Sequence, residues 1–317
     1  MFKIGIVGAG IIAKSHADGI KKHDECTVVA VADIVKESAE KIAEPFGAKV
    51  FTDYHEMCKS CEMDAVIINL PHYLHCEATC FFLEHKVHVL IEKPMAMNAK
   101  ECDKMIETAE KNGVTVVVGH VQQYTSAHKY LKNIIDTNEY GKLLRVTESR
   151  NVNYFYKRPA WFVDKKLSGG GIVMNYGAHS LDKLFYLTGS TVEKAVSVCR
   201  NTLNDCTIEE GAQVLVKLKN GVSATLSYTG SEIPAEYETM YYFEKARIRI
   251  TSSHNLYMWE DGDWKLKVDD SSNPTIMHDS AIAEFIKHLK GEPSEITTAQ
   301  HGKAVMEGIE MIYNNSL

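Results

Sequence analysis

Over the first 120 residues, short apolar runs alternate with amphipathic stretches. The runs are Lys3–Val7, Thr27–Asp33, Ala65–Asn69, His88–Glu92 and Thr115–Gly119. They are rich in Val and Ile with little polar alternation, the pattern of strands covered by helices on both faces. Between them, Ser38–Phe46 and Lys100–Asn112 repeat at helical spacing, and Gly47 and Gly113 stand where a helix end takes a residue tolerant of positive φ. This half predicts an α/β Rossmann domain, a doubly wound parallel sheet.

After residue 150 the period changes to two. Ala212–Leu218 and Ser223–Tyr228 flank Asn220-Gly221, a favoured hairpin turn, and Leu256–Trp259 and Trp264–Val268 flank Asp261-Gly262. With Tyr241–Phe243 and Arg247–Thr251 they predict a large, mainly antiparallel open sheet. Two helical stretches, Ser280–Lys290 and Gln300–Tyr313, close the chain around the break Gly291-Glu292-Pro293. The expected division is a nucleotide-binding domain over residues 1–120 and a C-terminal α/β domain over residues 121–317.

A chain of 317 residues suits two such domains. A formal charge of −7 argues against broad affinity for nucleic acid, which needs a Lys/Arg surplus, and favours a small-molecule substrate. No apolar run approaches the roughly 18 residues of a membrane span, and no secretory leader pattern precedes the first strand, so the expected place is the cytoplasm. Among the 8 cysteines, Cys58-x-x-Cys61 and Cys76-x-x-x-Cys80 raise the question of zinc. The helical spacing of the second pair favours reduced thiols, and no metal is expected.

The first strand leads into Gly8-Ala9-Gly10-Ile11-Ile12-Ala13 and then a helical pattern. That order brings backbone N–H groups and a helix N-terminus to a pyrophosphate. Gly8 suits the tight turn, Gly10 lets phosphates approach the backbone, and Ala13 permits close packing of helix on strand. Asp33 ends the second run about 20 residues on, where a carboxylate accepts from ribose hydroxyls and repels a 2′-phosphate. The cofactor expected is NAD rather than NADP.

Further along, Glu92-Lys93-Pro94 follows the fourth run, and Gly169-Gly170-Gly171-Ile172-Val173-Met174-Asn175-Tyr176-Gly177-Ala178-His179-Ser180-Leu181-Asp182 follows the change of period. With Pro71, His75, the Tyr140-Gly141-Lys142 turn and the closing helix Ile282–Gly291, this resembles the Gfo/Idh/MocA family of oxidoreductases over nearly the whole chain. The resemblance implies hydride transfer between nicotinamide and a hydroxyl or keto carbon of a sugar, cyclitol or related polyol. It adds Leu70, Pro71, His75, Glu92 and Lys93 to the cofactor site, and it implies a homodimer or homotetramer formed through the open sheet.

Alcohol oxidation needs a group that takes the hydroxyl proton as hydride leaves carbon, and Lys93 and His179 are the candidates. Lys93 is expected at the sheet edge where doubly wound folds bind ligands, and an imidazole such as that of His179, whose unperturbed pKa is ~6.5, suits proton exchange near neutral pH. Asn175, four residues before His179, stands where many relatives carry aspartate; its amide binds hydroxyls but supplies no charge. Gln123, in Gln122-Gln123-Tyr124, replaces an arginine of many relatives and disfavours an anionic group there. Tyr154, Tyr156, Arg158 and Trp161 suit either a carbohydrate pocket or an interface. Two other readings stay open: a redox-neutral NAD-dependent glycoside hydrolase and a non-catalytic dinucleotide sensor.

Overall fold

The computed structural model describes residues 1–155, 158–202, 206–232, 234–272 and 276–317. The chain divides into two compact units, Met1–Val121 with Thr275–Lys303, and Gln122–Pro274 with Ala304–Leu317.

The first unit holds strands β1 (Phe2–Val7), β2 (Cys26–Ala32), β3 (Lys49–Phe51), β4 (Ala65–Ile68), β5 (His88–Ile91) and β6 (Val116–Val118). Helices α1 (Ile11–Ile20), α2 (Lys36–Ala43), α3 (Tyr54–Ser60), α4 (His75–Glu84) and α5 (Ala99–Asn112) alternate with them. The strands form one parallel sheet in the order β3-β2-β1-β4-β5-β6. Strand order reverses between β1 and β4, and ligands of such sheets bind in the crevice outside the strand C-termini at that point. Ile4, Ile6, Val31 and Ile67 are wholly buried, as their unbroken apolar runs require.

The second unit begins with α6 (Ser126–Thr137) and β7 (Leu143–Asn151), followed by α7 (Lys165–Ser168) and α8 (Ala178–Thr188). Strands β8 (Val192–Arg200), β9 (Gly211–Leu218), β10 (Ser223–Thr229), β11 (Glu236–Phe243), β12 (Arg247–Thr251), β13 (Asn255–Glu260) and β14 (Asp263–Asp269) complete it. Its sheet runs β14-β13-β12-β11-β7-β10-β9-β8 and is antiparallel except where β7 meets β10. Along β9 buried and exposed residues alternate, so one face is covered and the other carries Leu215, 58% exposed, opposite Val196 on β8.

Helices α9 (Ile276–Leu289) and α10 (Ala299–Asn314) close the chain. The sequence division left α9 with the second half, whereas its Ile282, Phe285 and Ile286 join Ala13, Ala17 and Ile20 of α1 in the first unit's core. Burying three large apolar side chains stabilises that attachment, each by about 1.5–3 kcal/mol. Among the described residues no helix is long and apolar enough to cross a membrane.

Candidate active site

In the first unit the loop after β1 is shaped by two different demands. Gly8 has φ +84°, and a Cβ there would lie 2.6 Å from the Asn69 carbonyl oxygen, so packing at the β1–β4 switch requires glycine. Gly10 has φ −73° and a Cβ would meet nothing within 4 Å. Neither conformation nor protein packing asks for glycine at position 10; its bareness leaves space at the N-terminus of α1. Gly10 and Ile11 line a cavity of ≈ 650 Å³ together with Lys14, Ser38 and Lys41. Ile11 is 95% exposed, and Ile12 is half-buried beside it.

The Ala9 N–H donates to Asp33 Oδ2 at 2.6 Å, and the Val35 N–H donates to Asp33 Oδ1 at 2.8 Å. The carboxylate thus stands beside the loop at the C-terminal end of β2, next to Ile34, which is 90% exposed. A bare helix N-terminus, an adjacent carboxylate and uncovered apolar side chains are what a dinucleotide needs for its phosphates, ribose and ring faces. These residues fit NAD.

At the end of β5, Lys93 is half-buried and joined to Pro94 by a cis peptide bond. The neighbouring side chains hold this segment from beneath. His75 is wholly buried, with Nδ1 2.9 Å from the Pro94 carbonyl oxygen and Nε2 2.8 Å from that of Leu70. Burial pushes its imidazole pKa down, against these hydrogen bonds. Glu92 Oε1 lies 2.8 Å from His16 Nε2, and Glu92 Oε2 accepts from the Lys93 N–H at 3.2 Å. Burial raises the Glu92 pKa, but the bond to His16 and the charges of His16 and Lys93 outweigh it, leaving a value of about 2. His75 and Glu92, expected among the cofactor contacts, therefore spend their polar atoms bracing Leu70, Lys93 and Pro94; Leu70 and Pro71 are half-buried. His278 joins His16 and Glu92 in a cluster whose candidate ligand atoms lie within 4.8 Å of one another. The cysteines are free thiols.

In the second unit, Asn175 lies in a π-helical turn, Val173–Gly177, that runs directly into α8, which carries His179. Both side chains are buried, 7% and 8% exposed. A plain α-helix would set them one turn apart on one face; the wider π-turn changes that angle and is a geometry found often at functional sites. The turn is held by Glu209, whose carboxylate accepts from the N–H groups of Gly171 and Val173, at 3.0 Å for the latter, and from the Tyr313 hydroxyl at 2.7 Å. The glycine run follows from this anchor: a Cβ at Gly171 would lie 2.0 Å from the Glu209 carbonyl oxygen, and one at Gly170 2.1 Å from the Tyr313 hydroxyl. Glu209 has no motif around it and was not singled out in the sequence.

The aromatic stretch is split. Tyr154 is 1% exposed, its ring packed against Phe155, Phe162 and Tyr176, so it is an interior side chain rather than a sheet-edge one. Arg158 is exposed; its Nε donates to the Tyr154 carbonyl oxygen at 3.0 Å, and its guanidinium lies over Phe162. Trp161 is half-buried against Phe162, Gln123 is buried on the turn Val121–Tyr124, and Tyr156 lies outside the described residues.

Residues 2–120 match the model of the oxidoreductase family GFO_IDH_MocA, NAD-binding Rossmann fold, and residues 128–253 match a GFO/IDH/MocA C-terminal domain. The chain belongs to the Gfo/Idh/MocA oxidoreductases. This oxidoreductase is 32% identical over 250 residues to glucose-6-phosphate 3-dehydrogenase of Bacillus subtilis, a match covering 74% of this chain and 70% of the relative. It is 29% identical over 196 residues to myo-inositol 2-dehydrogenase of Thermotoga maritima, covering 61% of this chain and 56% of that one. The WlbA dehydrogenase of Bordetella pertussis, solved with NADH and UDP-GlcNAcA, shares the fold with a TM-score of 0.86 at 22% identity, over 99% of this chain and 96% of that one. The family is NAD-binding, and NAD is its cofactor here.

Proposed function

We propose that this oxidoreductase moves a hydride between NAD and a hydroxyl or keto carbon of a sugar, cyclitol or related polyol. The observation that carries the reading is the bare, conformationally ordinary Gly10 at the N-terminus of α1, with Asp33 bonded to the same loop. When bound, NAD supplies the hydride acceptor. Backbone N–H groups of Gly10, Ile11 and Ile12 would hold its phosphates, and Asp33 would accept from the adenosine ribose and exclude a 2′-phosphate.

Lys93 takes the substrate hydroxyl proton in oxidation and returns it in reduction. It acts as the neutral amine when it takes the proton and as the ammonium when it returns it, and its backbone is held by Glu92 and, through Pro94, by His75. Asn175 and His179 bind substrate hydroxyls, with His179 as second proton carrier, and Glu209 keeps their turn in register. The second unit's open sheet face, with Val196, Val198 and Leu215 all more than 40% exposed, is where a homodimer or homotetramer forms. Light scattering at the mass of a single chain contradicts that assembly.

The reaction is tested by following NADH absorbance while the protein and NAD meet sugars, inositols, sugar acids and glycosides. Growth of the band with a polyol supports the reading. Release of an aglycone from a glycoside without net NADH replaces it with the redox-neutral hydrolase.

A further inference from the structure

Strand β7 turns two charged side chains toward the buried face of its sheet, Glu148 and Arg150, 3% and 5% exposed. Glu148 is fully engaged. Its Oε1 accepts from the Ser180 hydroxyl, and its Oε2 accepts from the Lys183 ammonium at 2.8 Å, the Thr239 hydroxyl at 3.2 Å and the Tyr237 hydroxyl at 3.4 Å.

Arg150 is held differently. Its guanidinium lies over the ring of Tyr237, 3.7 Å from the centroid, and over that of Tyr176 at 4.5 Å. Tyr237 is its cross-strand partner on β11. These rings fix the plane of the fork without using its donors. Nη1 is buried and meets no hydrogen-bond acceptor among the described residues. A guanidinium has five N–H donors, no acceptor, and a charge it does not lose. The charge is near that of Glu148 inside the fold, but burying the Nη1 donor unpaired is unfavourable, and it calls for a partner from outside the chain, water or ligand. A flat fork of fixed orientation is suited to a carboxylate or phosphate, which accepts two parallel hydrogen bonds. Tyr176 ties the site to the polyol-binding segment, since it follows Asn175 within the same π-turn.

We infer that Arg150 recognises an oxyanion, carboxylate or phosphate, carried by the polyol substrate. The inference rests on the reading of Asn175 and His179 as substrate-binding residues. It places anion recognition on β7 rather than at Gln122-Gln123, whose amides are neutral. The substrate class it selects is an acidic sugar or a sugar phosphate.

The test uses NAD-loaded wild type, Arg150→Gln and Arg150→Lys with D-glucuronate, D-glucose 6-phosphate and their neutral counterpart D-glucose. Thermal stabilisation by each compound is read alongside NADH formation. Wild type is expected to be stabilised by at least one acid more than by glucose, and which acid responds separates carboxylate from phosphate. Arg150→Gln is expected to weaken that acid's binding about ten- to a hundredfold while leaving glucose within about threefold, with Arg150→Lys between them.

Without ligand, Arg150→Gln should melt only modestly lower than wild type, since it loses the contacts with the Tyr237 and Tyr176 rings and the charge near Glu148 but also removes an unpaired buried donor. A steep loss of stability in both variants shows that Arg150 holds the fold and overturns the inference. So does equal weakening of acid and neutral sugar, or the absence of acid-specific stabilisation in wild type. Reduction of NAD by neutral sugars alone keeps the dehydrogenase reading and overturns this one. Acid-specific, Arg150-dependent stabilisation with no NADH from any compound does the reverse.

Discussion

A Cβ on Gly8 would sit 2.6 Å from the carbonyl oxygen of Asn69, the residue that follows β4 by one position, whereas a Cβ on Gly10 would touch nothing. The two glycines of one fingerprint therefore serve different masters. Gly8→Ala is expected to destabilise the protein by about 2–4 kcal/mol, from backbone strain at positive φ plus the clash. Gly10→Ala should leave thermal stability nearly unchanged and weaken NAD. Calorimetric melting with and without NAD separates them, and a Gly10→Ala protein that binds NAD normally contradicts the assignment of that space.

Lys93→Ala should lower turnover by about 10²–10⁴-fold, the range of a lost proton-transfer group, with NAD affinity largely intact even though Lys93 borders the cofactor site. Steady-state kinetics on the substrate found, beside an NAD titration, checks both halves. Unchanged turnover removes Lys93 from the mechanism.

Glu209→Ala removes the acceptor for two backbone N–H groups and a tyrosine hydroxyl, and should cost about 2–4 kcal/mol. Because those bonds hold the turn carrying Asn175, the surviving folded enzyme should show a raised KM with little change in NAD affinity. Denaturant unfolding and kinetics together test this. A variant with full stability and normal KM contradicts the anchor role.

Acid should destabilise the protein in a defined window. Burial, then the charge of His16, pushes His278 down from 6.5 to about 4. Between those values the unfolded chain binds more protons than the folded one, so stability is lost as pH falls from 6.5 toward 4. The loss from this group is about 2–3 kcal/mol by pH 4.5. Glu92 extends the effect below its unfolded value of ~4.3, as its folded pKa of about 2 is approached. Unfolding free energies at pH 7 and 4.5 should differ less in His278→Gln than in wild type. The same slope in both proteins removes His278 as a cause.

The parts legible in the sequence are those encoded locally. The parallel strands β1, β2, β4, β5 and β6 lie within or close to the apolar runs, and Gly8, Gly10 and Asp33 sit at spacings that strand–turn–helix geometry imposes. Strand β3 is only Lys49–Phe51, too short to show a period. Strand β7 was hidden by chemistry, since its inward positions after Val146 are Glu148 and Arg150 and a hydrophobic alternation is the signal that finds strands. Glu209 lies 36 residues or more from the N–H groups it holds, and α9 joins a core built from the other end of the chain. Such long-range packing leaves no mark on local sequence. The resemblance placed His75 and Glu92 near the cofactor, and only the hydrogen bonds show that their polar atoms face inward.

The account depends most on NAD lying across Gly8–Ala13 with Asp33 at its ribose, and calorimetric titration of NAD and NADP into wild type and Asp33→Ala tests that directly. Wild type should bind NAD more tightly than NADP, and Asp33→Ala should lose NAD affinity while gaining or keeping NADP. Equal losses for both cofactors, or no change for either, would contradict it.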